Sequence, residues 1–387
     1  MKRLRWLPVL VATALFISAC SPKDDSEELI QEEENVETTI IPNHQLNDNY
    51  YRTLIPYKES ASRGLVVSNM NTKYDMREVE SGLMRLSQRE FNTEDYYFQE
   101  GQYLEADMVK YWLARENQTL NKGEEYRGLN PSSLDANGTE LDPTVKAEKA
   151  PVYLSHIVEQ NYLKKADESR IELGGMSIGL SLNTIYYYQK EQYGEFFEEV
   201  LTDEQIEKAG KEIAEEVIRR LRQREELADV PIMIGLFKQQ AKNSIVPGTY
   251  FAYSVSDPGS EKLNEWQMIN EKYITLPVSN PEDIYRELNT KFLNFKQDVD
   301  EYFANFTSVI GTAFYVDNMA TRLEIEIPIQ FYGTAEIIGF AQYLTGVMLE
   351  HLPNNLQVTI NVHSVNGAEA LIKKEPGSYE PFVHIYD

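Results

Sequence analysis

Cysteine is almost absent from the chain, since Cys20 is the only one among 387 residues. A single thiol forms no disulfide within the chain and supplies no thiolate cluster for zinc or an iron–sulfur group. Stability must therefore come from ordinary burial. A hydrophobic content of 42% over this length is enough for a sizeable core and for two or three domains.

Positive charge is also scarce. The chain has 37 Lys and Arg against 62 Asp and Glu, and its formal net charge is −25. Nucleic-acid binding depends on clustered Lys and Arg that displace counterions from phosphates, so nucleic acid is not expected as a partner. The same charge predicts repulsion from anionic lipid headgroups. After the leader, no apolar run approaches the roughly 20 residues that a membrane helix needs.

The usual signatures of catalysis and cofactor binding are missing. There is no Gly-x-Ser-x-Gly run and no Gly-x-x-x-x-Gly-Lys run, and the histidines do not have metal-binding spacing. Acidic residues are so abundant that the closeness of two carboxylates is weak evidence for acid–base chemistry. The sequence therefore predicts no catalytic residue, no metal site and no cofactor, and we expect a protein that is not an enzyme.

The first 19 residues have the pattern of an export signal. Lys2, Arg3 and Arg5 precede an apolar stretch that is too short to span a bilayer stably, and two small residues stand directly before Cys20. This order predicts a lipoprotein signal peptide at 1–19 and a diacylglycerol on the Cys20 thiol. Two acyl chains suffice for stable anchoring, so we expect membrane lipid to hold the protein on the extracellular face of the cell membrane. The alternative is an ordinary signal peptide that is cut elsewhere.

Residues 20–46 are acidic and have almost nothing to bury, which predicts a disordered tether. We expect a first folded module with an N-terminal extension at 47–265 and a second at 266–387. In the first, the patterns predict a strand, two helices, a long loop and a capped helix, at Gly64–Ser68, Asp75–Phe91, Tyr103–Leu113, Leu120–Glu148 and Thr202–Leu227.

Two parts of the chain repeat the order strand, helix, strand, strand. In the first copy the helix is Thr202–Leu227, and the strands are Met176–Leu182, Val230–Phe237 and Pro247–Tyr253. In the second copy the helix is Thr334–Leu352, and the strands are Leu323–Ile329, Leu356–Val362 and Pro376–Val383. Both copies end in a Pro-Gly-x-Tyr corner, which favours duplication over chance similarity. A helix at Pro281–Phe306 precedes the second copy, and Ser155–Ala166 is its expected counterpart. The predicted fold class is α+β, with two related helix-on-antiparallel-sheet modules in tandem after the tether.

Aromatic residues are in surplus in an insertion of the first copy that the second copy lacks. Tyr186, Tyr188 and Tyr193 are the candidate binding residues there, because tyrosine offers a flat apolar ring with a polar tip to a sugar or a peptide. The alternative is that these rings pack the strand end against the neighbouring helix.

The lipoprotein signal, the acidic tether, the runs Arg63–Asn69 and Gly175–Asn183 and the tandem modules together resemble the CamS family of sex-pheromone precursor lipoproteins of Gram-positive bacteria. The resemblance implies that a short hydrophobic peptide is released from the end of the signal sequence. Carried over by position, that peptide consists of Thr13, Ala14, Leu15, Phe16, Ile17, Ser18 and Ala19.

Three functions remain open on the sequence. The first is a lipid-anchored protein whose leader supplies a signalling peptide and whose body binds a wall component or a surface protein without catalysis. The second is a carboxylate-dependent hydrolase that acts on cell-wall or peptide substrates. The third is a purely structural partner of other surface proteins. A cleft with two close carboxylates of raised pKa would favour the hydrolase, and an aromatic groove would favour binding.

Overall fold

The structure is a computed structural model, and it describes residues 27–30, 38–42, 45–47, 50–118, 127–167, 170–302, 309–330 and 333–386. The predicted signal peptide at 1–19, the predicted signalling peptide within it and Cys20 lie outside the described residues. The strands are β1 (Glu27–Ile30), β2 (Thr38–Ile41), β3 (Arg52–Thr53), β4 (Tyr97–Glu100), β5 (Leu154–Lys165), β6 (Ile171–Asn183), β7 (Ile185–Gln189), β8 (Phe196–Val200), β9 (Ile232–Gln239), β10 (Thr249–Ser256), β11 (Gln267–Met268), β12 (Glu271–Leu276), β13 (Ile310–Val316), β14 (Met319–Pro328), β15 (Gln357–Ser364), β16 (Gly367–Lys374) and β17 (Phe382–Ile385).

The helices of the described residues lie between these strands along the chain. They are α1 (Leu65–Asn69), α2 (Lys73–Ser87), α3 (Ala106–Leu113), α4 (Pro143–Lys149), α5 (Asp203–Leu221), α6 (Asp283–Tyr302) and α7 (Thr334–His351), with a 3-10 turn at Glu225–Leu227. Among these described helices, none has both the length and the apolar composition that a bilayer crossing requires. The mixture of helices with largely antiparallel sheets confirms the predicted α+β class.

The first large sheet has the strand order β11-β10-β9-β6-β5-β4-β3 and is covered on both faces. Helices α3 and α5 pack on one face, where Trp112 and Ile213 are buried together with the apolar side chains of β6. Helix α2 packs on the other face through Val79, Leu83 and Leu86. This sheet therefore forms the middle layer of a three-layer module.

Strand β6 fits between these layers because its two faces carry different residues. Toward α5 it presents four buried apolar side chains, Met176, Ile178, Leu180 and Leu182. Toward α2 it presents small residues. At two of these positions only glycine fits, because an aromatic ring lies too close for a Cβ atom. A Cβ on Gly175 would lie 2.2 Å from Cε1 of Phe91, and one on Gly179 would lie 2.4 Å from the Tyr250 hydroxyl.

The second large sheet has the strand order β12-β13-β14-β15-β16-β17. Helices α6 and α7 pack on one face, and Phe292, Phe295, Phe340 and Leu344 are fully buried between the helices and the sheet. Ile284 of α6 and Ile338 of α7 do not belong to this core, because they are 44% and 41% exposed.

Six strands of the first sheet correspond in order to the six strands of the second sheet. Strands β4-β5-β6-β9-β10-β11 and β12-β13-β14-β15-β16-β17 have the same alternation of directions, with one parallel pair at the centre of each. Helices α3 and α6 follow the first of these strands, and α5 and α7 connect the parallel pair. This correspondence agrees with tandem modules, while their origin by duplication stays a prediction.

Two details of the predicted repeat are wrong. The Pro-Gly-x-Tyr corners do not correspond, because Pro247–Tyr250 leads into β10, whereas Pro376–Tyr379 leads into β17, whose counterpart is β11. The segment Ser155–Ala166 is not a helix but most of β5. Its residues are buried on both faces of a central strand, so they lack the alternation that marks a half-buried strand. The counterpart of α6 is α3.

Two predictions near the N-terminus also need correction. Gly64–Ser68 is not a strand, because Leu65–Asn69 forms the short helix α1. The tether predicted at 20–46 contains a hairpin, since β1 pairs with β2 and Ile41 is buried beside Leu54. By contrast, the helices predicted at Asp75–Phe91, Tyr103–Leu113 and Thr202–Leu227 are confirmed as α2, α3 and α5.

The chain passes from one sheet to the other within two residues. Strand β11 ends at Met268 on the first sheet, and β12 begins at Glu271 on the second. The first sheet therefore extends to residue 268, a few positions beyond 265. At this junction the Thr249 hydroxyl donates a hydrogen bond of 3.0 Å to the carbonyl of Glu271, so β10 of the first sheet is in direct contact with β12 of the second.

Candidate functional site

Strands β7 and β8 form a separate two-stranded ribbon between β6 and α5, and this ribbon carries the predicted aromatic residues. Residues two apart on a strand lie on the same face. Tyr186 and Tyr188 therefore share a face, and Tyr188 pairs across the ribbon with Phe197. The rings of Tyr186 and Tyr188 are 6.0 Å apart and parallel within 11°, and the rings of Tyr188 and Phe197 are 5.7 Å apart.

Positive side chains lie at both ends of this row of rings. The Arg115 guanidinium is 5.9 Å from the Tyr186 ring and donates a hydrogen bond of 3.1 Å to its hydroxyl. The Lys190 ammonium is 4.2 Å from the Phe197 ring. We call Tyr186, Tyr188 and Phe197 the aromatic row. Its rings are half-buried, and the row offers a continuous stacking surface with a cation at each end.

The structure does not place all three predicted tyrosines together. Tyr193 lies in the turn of the ribbon and is 91% exposed, away from the paired strands. The opposite face of the ribbon holds Tyr187 and Phe196, with the Lys242 ammonium 4.2 Å and 5.3 Å from their rings. Phe196 is 63% exposed, so this second face also presents apolar surface to solvent.

A cavity of about 500 Å³ lies between α5 and residues 127–131. Its apolar lining includes Leu129 and Ile213. Its charged lining is balanced between acidic and basic residues, namely Glu116, Glu212, Glu216, Arg127, Arg219 and Arg220. Among the described residues that line this cavity there is no serine, cysteine or histidine, the side chains that most often act as nucleophile or general base.

The arginines of the cavity are engaged by its carboxylates. Arg219 bonds both oxygens of Glu216 at 2.8 Å and 2.7 Å, and Arg220, whose side chain is 3% exposed, bonds the same carboxylate at 2.7 Å. These hydrogen bonds hold the pKa of Glu216 below its usual range, so this carboxylate stays charged and is a poor proton donor. Arg127 contacts one oxygen of Glu116.

Four carboxylates in the described part of the chain have a raised pKa, namely Asp75, Glu80, Glu90 and Glu159, and two of them bind backbone amides. Burial raises the pKa of Glu159, which accepts hydrogen bonds from the backbone amides of Gln102, Tyr103 and Leu104 ahead of α3. Burial likewise raises the pKa of Asp75, which accepts a bond of 2.7 Å from the amide of Gly248. None of these four is among the described residues that line the cavity, so those residues do not supply the pair of raised-pKa carboxylates that would favour a hydrolase.

One group of side chains with the composition of a metal site was missed by the sequence analysis. One ligand atom of each of Asp298, Glu350 and His351 lies within 4.8 Å of the others, and Nε2 of His351 is 2.6 Å from Oδ2 of Asp298. Of these three residues, only Glu350 and His351 are adjacent in the sequence. Asp298 arrives from α6 through the packing of α6 against α7, so no spacing rule could have found the group.

The chain was compared with known proteins. The family model described as the CamS sex pheromone cAM373 precursor matches residues 57–380. The chain belongs to this family. Among solved structures, the CamS chain resembles the C-terminal domain of the sex pheromone staph-cAM373 precursor from Staphylococcus aureus. That structure is 33% identical, with a TM-score of 0.71, and the match covers 82% of this chain and 98% of the other. Comparison with the curated proteins found no match.

A second solved structure is more similar in fold. The sex pheromone precursor of Lactobacillus salivarius subsp. salivarius UCC118 is 32% identical, with a TM-score of 0.80, and the match covers 89% of this chain and 98% of the other. The resemblance to the CamS family stated from the sequence is therefore confirmed. The match to the family begins at residue 57, so Cys20 and the leader heptapeptide lie outside it.

Proposed function

We propose that this CamS protein is a membrane-anchored extracellular lipoprotein whose leader ends in a hydrophobic signalling peptide and whose body binds cell-wall material without catalysis. Membership of a pheromone precursor family supports the leader as the source of the peptide. The export signal that ends at Cys20 supports the anchor. The observation that carries the role of the body is the aromatic row, because stacked rings with flanking cations suit sugar rings and peptides.

The anchor is tested by replacing the only thiol. In Cys20→Ala, lipid labelling is expected to disappear, and the protein is expected to stay uncut or to be shed into the medium. The conservative Cys20→Ser is the matched control for the thiol itself and is expected to behave in the same way. Unchanged labelling and membrane retention in either variant would contradict the anchor.

The peptide is tested by mass spectrometry of the culture medium. The expected species spans Thr13 to Ala19 or a close trimming product, and the synthetic heptapeptide is expected to elicit a response in recipient cells. A sensitive search that finds no such species, or a synthetic peptide that is inert on all recipients tested, would contradict the signalling role.

The binding role of the body is tested by co-sedimentation with purified peptidoglycan. The double variant Tyr188→Ala and Tyr193→Ala removes one ring of the row and the exposed ring of the turn. Tyr186 is left in place because its hydroxyl bonds Arg115. Tyr379→Ala, at a 75% exposed ring of the second module, is the matched control. We expect at least a tenfold loss of capture in the double variant alone, with an unchanged melting temperature. Equal capture by all three proteins would remove the proposed site.

A further inference from the structure

The second sheet ends in a strand that is open on its outer side. β17 is the terminal strand of the order and pairs with β16 alone among the described strands. The other edges of the large sheets differ from it. β3 and β11 are only two residues long, and β12 is in contact with β10 of the first module. Free edges of this kind template the pairing of another strand unless they are blocked.

Three of the usual blocking devices, namely lysine, proline and a bulge, are absent from β17. Its residues Phe382, Val383, His384 and Ile385 include no lysine and no proline, and its pairing with β16 contains no bulge. Phe382, Val383 and Tyr386 are 61%, 41% and 41% exposed. The edge therefore offers both unpaired backbone groups and apolar side chains.

The phase of the backbone hydrogen bonds identifies the groups that face outward. The amide of Tyr386 donates to the carbonyl of Glu369 on β16, at 3.0 Å. Bonding directions alternate along an antiparallel strand, so the N–H and C=O groups of His384 and Phe382 also point toward β16. Those of Val383 and Ile385 point away from the sheet and are available to a partner.

The side chains around His384 have a self-complementary order. Val383 and Ile385 flank it as two β-branched aliphatic residues, and Phe382 and Tyr386 follow on either side as two aromatic residues. Phe382, His384 and Tyr386 already interact on one face, with ring centroids 6.4 Å and 4.7 Å apart. If a second copy runs antiparallel with His384 at the centre, each aliphatic residue meets an aliphatic residue and each aromatic residue meets an aromatic residue.

We propose that two copies of this chain associate through their β17 edges, antiparallel about a two-fold axis at His384, so that the two second sheets join into one. In this register Val383 of each copy faces Ile385 of the other, and their outward N–H and C=O groups bond one another. Phe382 faces Tyr386 across the axis, and such aromatic cross-strand pairs stabilise antiparallel sheets. An isologous contact of this kind closes on itself and yields a dimer.

The axis makes a geometric prediction that cysteine cross-linking tests. The two copies of position 384 form a non-hydrogen-bonded pair, with Cα atoms about 4.5 Å apart, which is within disulfide range. Position 382 is matched with position 386, so its two copies lie four residues apart along the strands, at roughly 13 Å. The full chain is produced with Cys20→Ser, so that the introduced cysteine is the only thiol.

Under mild oxidation, His384→Cys is expected to form covalent dimers in most of the protein, whereas Phe382→Cys stays monomeric. Equal cross-linking of the two variants, or none in His384→Cys, would overturn the proposal. A monomeric protein that pairs only with added extended peptides would also overturn it.

A proline variant tests the same edge without cysteine. In Val383→Pro the lost N–H is an outward one, so the pairing with β16 is retained, because proline is tolerated on the open side of an edge strand. Sedimentation equilibrium is expected to show at least a tenfold weaker self-association than in the unmodified chain, with the same melting temperature. Tyr379→Ala, which lies outside the strand, is expected to associate normally. Undiminished association of Val383→Pro would contradict pairing through this edge.

Discussion

The guanidinium of Arg85 on α2 bonds the carboxylate of Glu271 on β12 at 2.7 Å, and this contact joins the two modules. The same guanidinium bonds Glu78 at 2.7 Å. The Tyr273 hydroxyl on β12 donates to Glu78 at 2.9 Å and accepts from Arg322 at 2.9 Å. The side chains of Glu78 and Glu271 are only 7% and 9% exposed, so both carboxylates depend on Arg85 for a positive partner.

Removing this cation is expected to destabilise the protein strongly. Arg85→Ala leaves two nearly buried carboxylates without their main partner, and loss of one partner of a buried ion pair costs about 3 kcal/mol. Chemical denaturation gives the free energy of unfolding. Arg219→Ala is the control, since the side chains of Arg219 and Glu216 are 44% and 31% exposed and that pair is worth about 1 kcal/mol or less. Equal effects of the two substitutions would contradict the special role of Arg85.

His156 predicts a specific dependence of stability on pH. It is 3% exposed, and burial lowers its pKa to about 4. Well above pH 6.5 the imidazole is neutral in both the folded and the unfolded state. As the pH falls below the unfolded pKa of about 6.5, the unfolded chain binds a proton that the folded chain does not. The stability that neutral His156 contributes to the folded state is therefore complete well above pH 6.5 and is lost as the pH falls to about 4.

The expected loss from this residue is about 3 kcal/mol over that range. The measurement is the free energy of unfolding at several pH values, for the unmodified chain and for His156→Gln. The glutamine variant keeps a polar side chain near Asn69 and removes the titration. Its stability is expected to fall less between pH 6.5 and pH 4, and parallel curves for the two proteins would contradict the assignment.

Replacing Glu159 by glutamine is expected to destabilise the protein. Its two oxygens accept from three consecutive backbone amides, and in Glu159→Gln one of them becomes a donor that faces other donors. Leaving buried donors without an acceptor costs about 3 kcal/mol. Glu324→Gln on the half-exposed face of β14 is the matched control and is expected to change the melting temperature little. A Glu159→Gln protein as stable as this control would show that the cap is dispensable.

The small residues of β6 predict opposite effects for two Gly→Ala substitutions. In Gly179→Ala the new Cβ meets the Tyr250 hydroxyl, which itself bonds the carbonyl of Val79, so the ring has to move and stability falls by about 2 kcal/mol. Gly346→Ala lies within α7, where no described atom outside the helix's own backbone and the adjacent residues comes within 4 Å of the new Cβ, and alanine there is expected to raise stability by about 0.5 to 1 kcal/mol. Thermal melts of both variants measure this difference, and two shifts of the same sign would contradict it.

Features governed by neighbours in sequence were predictable from the sequence. The start of α5 is an example, because Thr202 and Gln205 form the predicted capping box with each other. The strand β5 was not predictable as a strand, because a strand buried on both faces loses its alternation. Helix α1 was missed because adjacent valines favour a strand locally, and at five residues the helix depends on its tertiary contacts.

In the candidate sites, too, the local features were predictable from the sequence and the long-range contacts were not. The cluster of tyrosines marked the ribbon, since aromatic residues two apart on a strand necessarily share a face. Its partner Arg115 is 71 residues away from Tyr186, and Glu271 is 186 residues away from Arg85. Contacts over such separations follow from the packing of complete modules, and no local pattern encodes them.

The short passage between β11 and β12 has a consequence for how the chain is made. All strands of the first large sheet lie within residues 52–268, and all strands of the second lie within 271–385. As the chain is synthesised from its N-terminus, all strands of the first sheet are made before those of the second. Every strand of the first sheet therefore finds its partners within residues that precede the second sheet. Glu271 then reaches Arg85 at the start of the second module, so assembly proceeds in one direction along the chain, and an interrupted synthesis past residue 268 still leaves a finished first sheet.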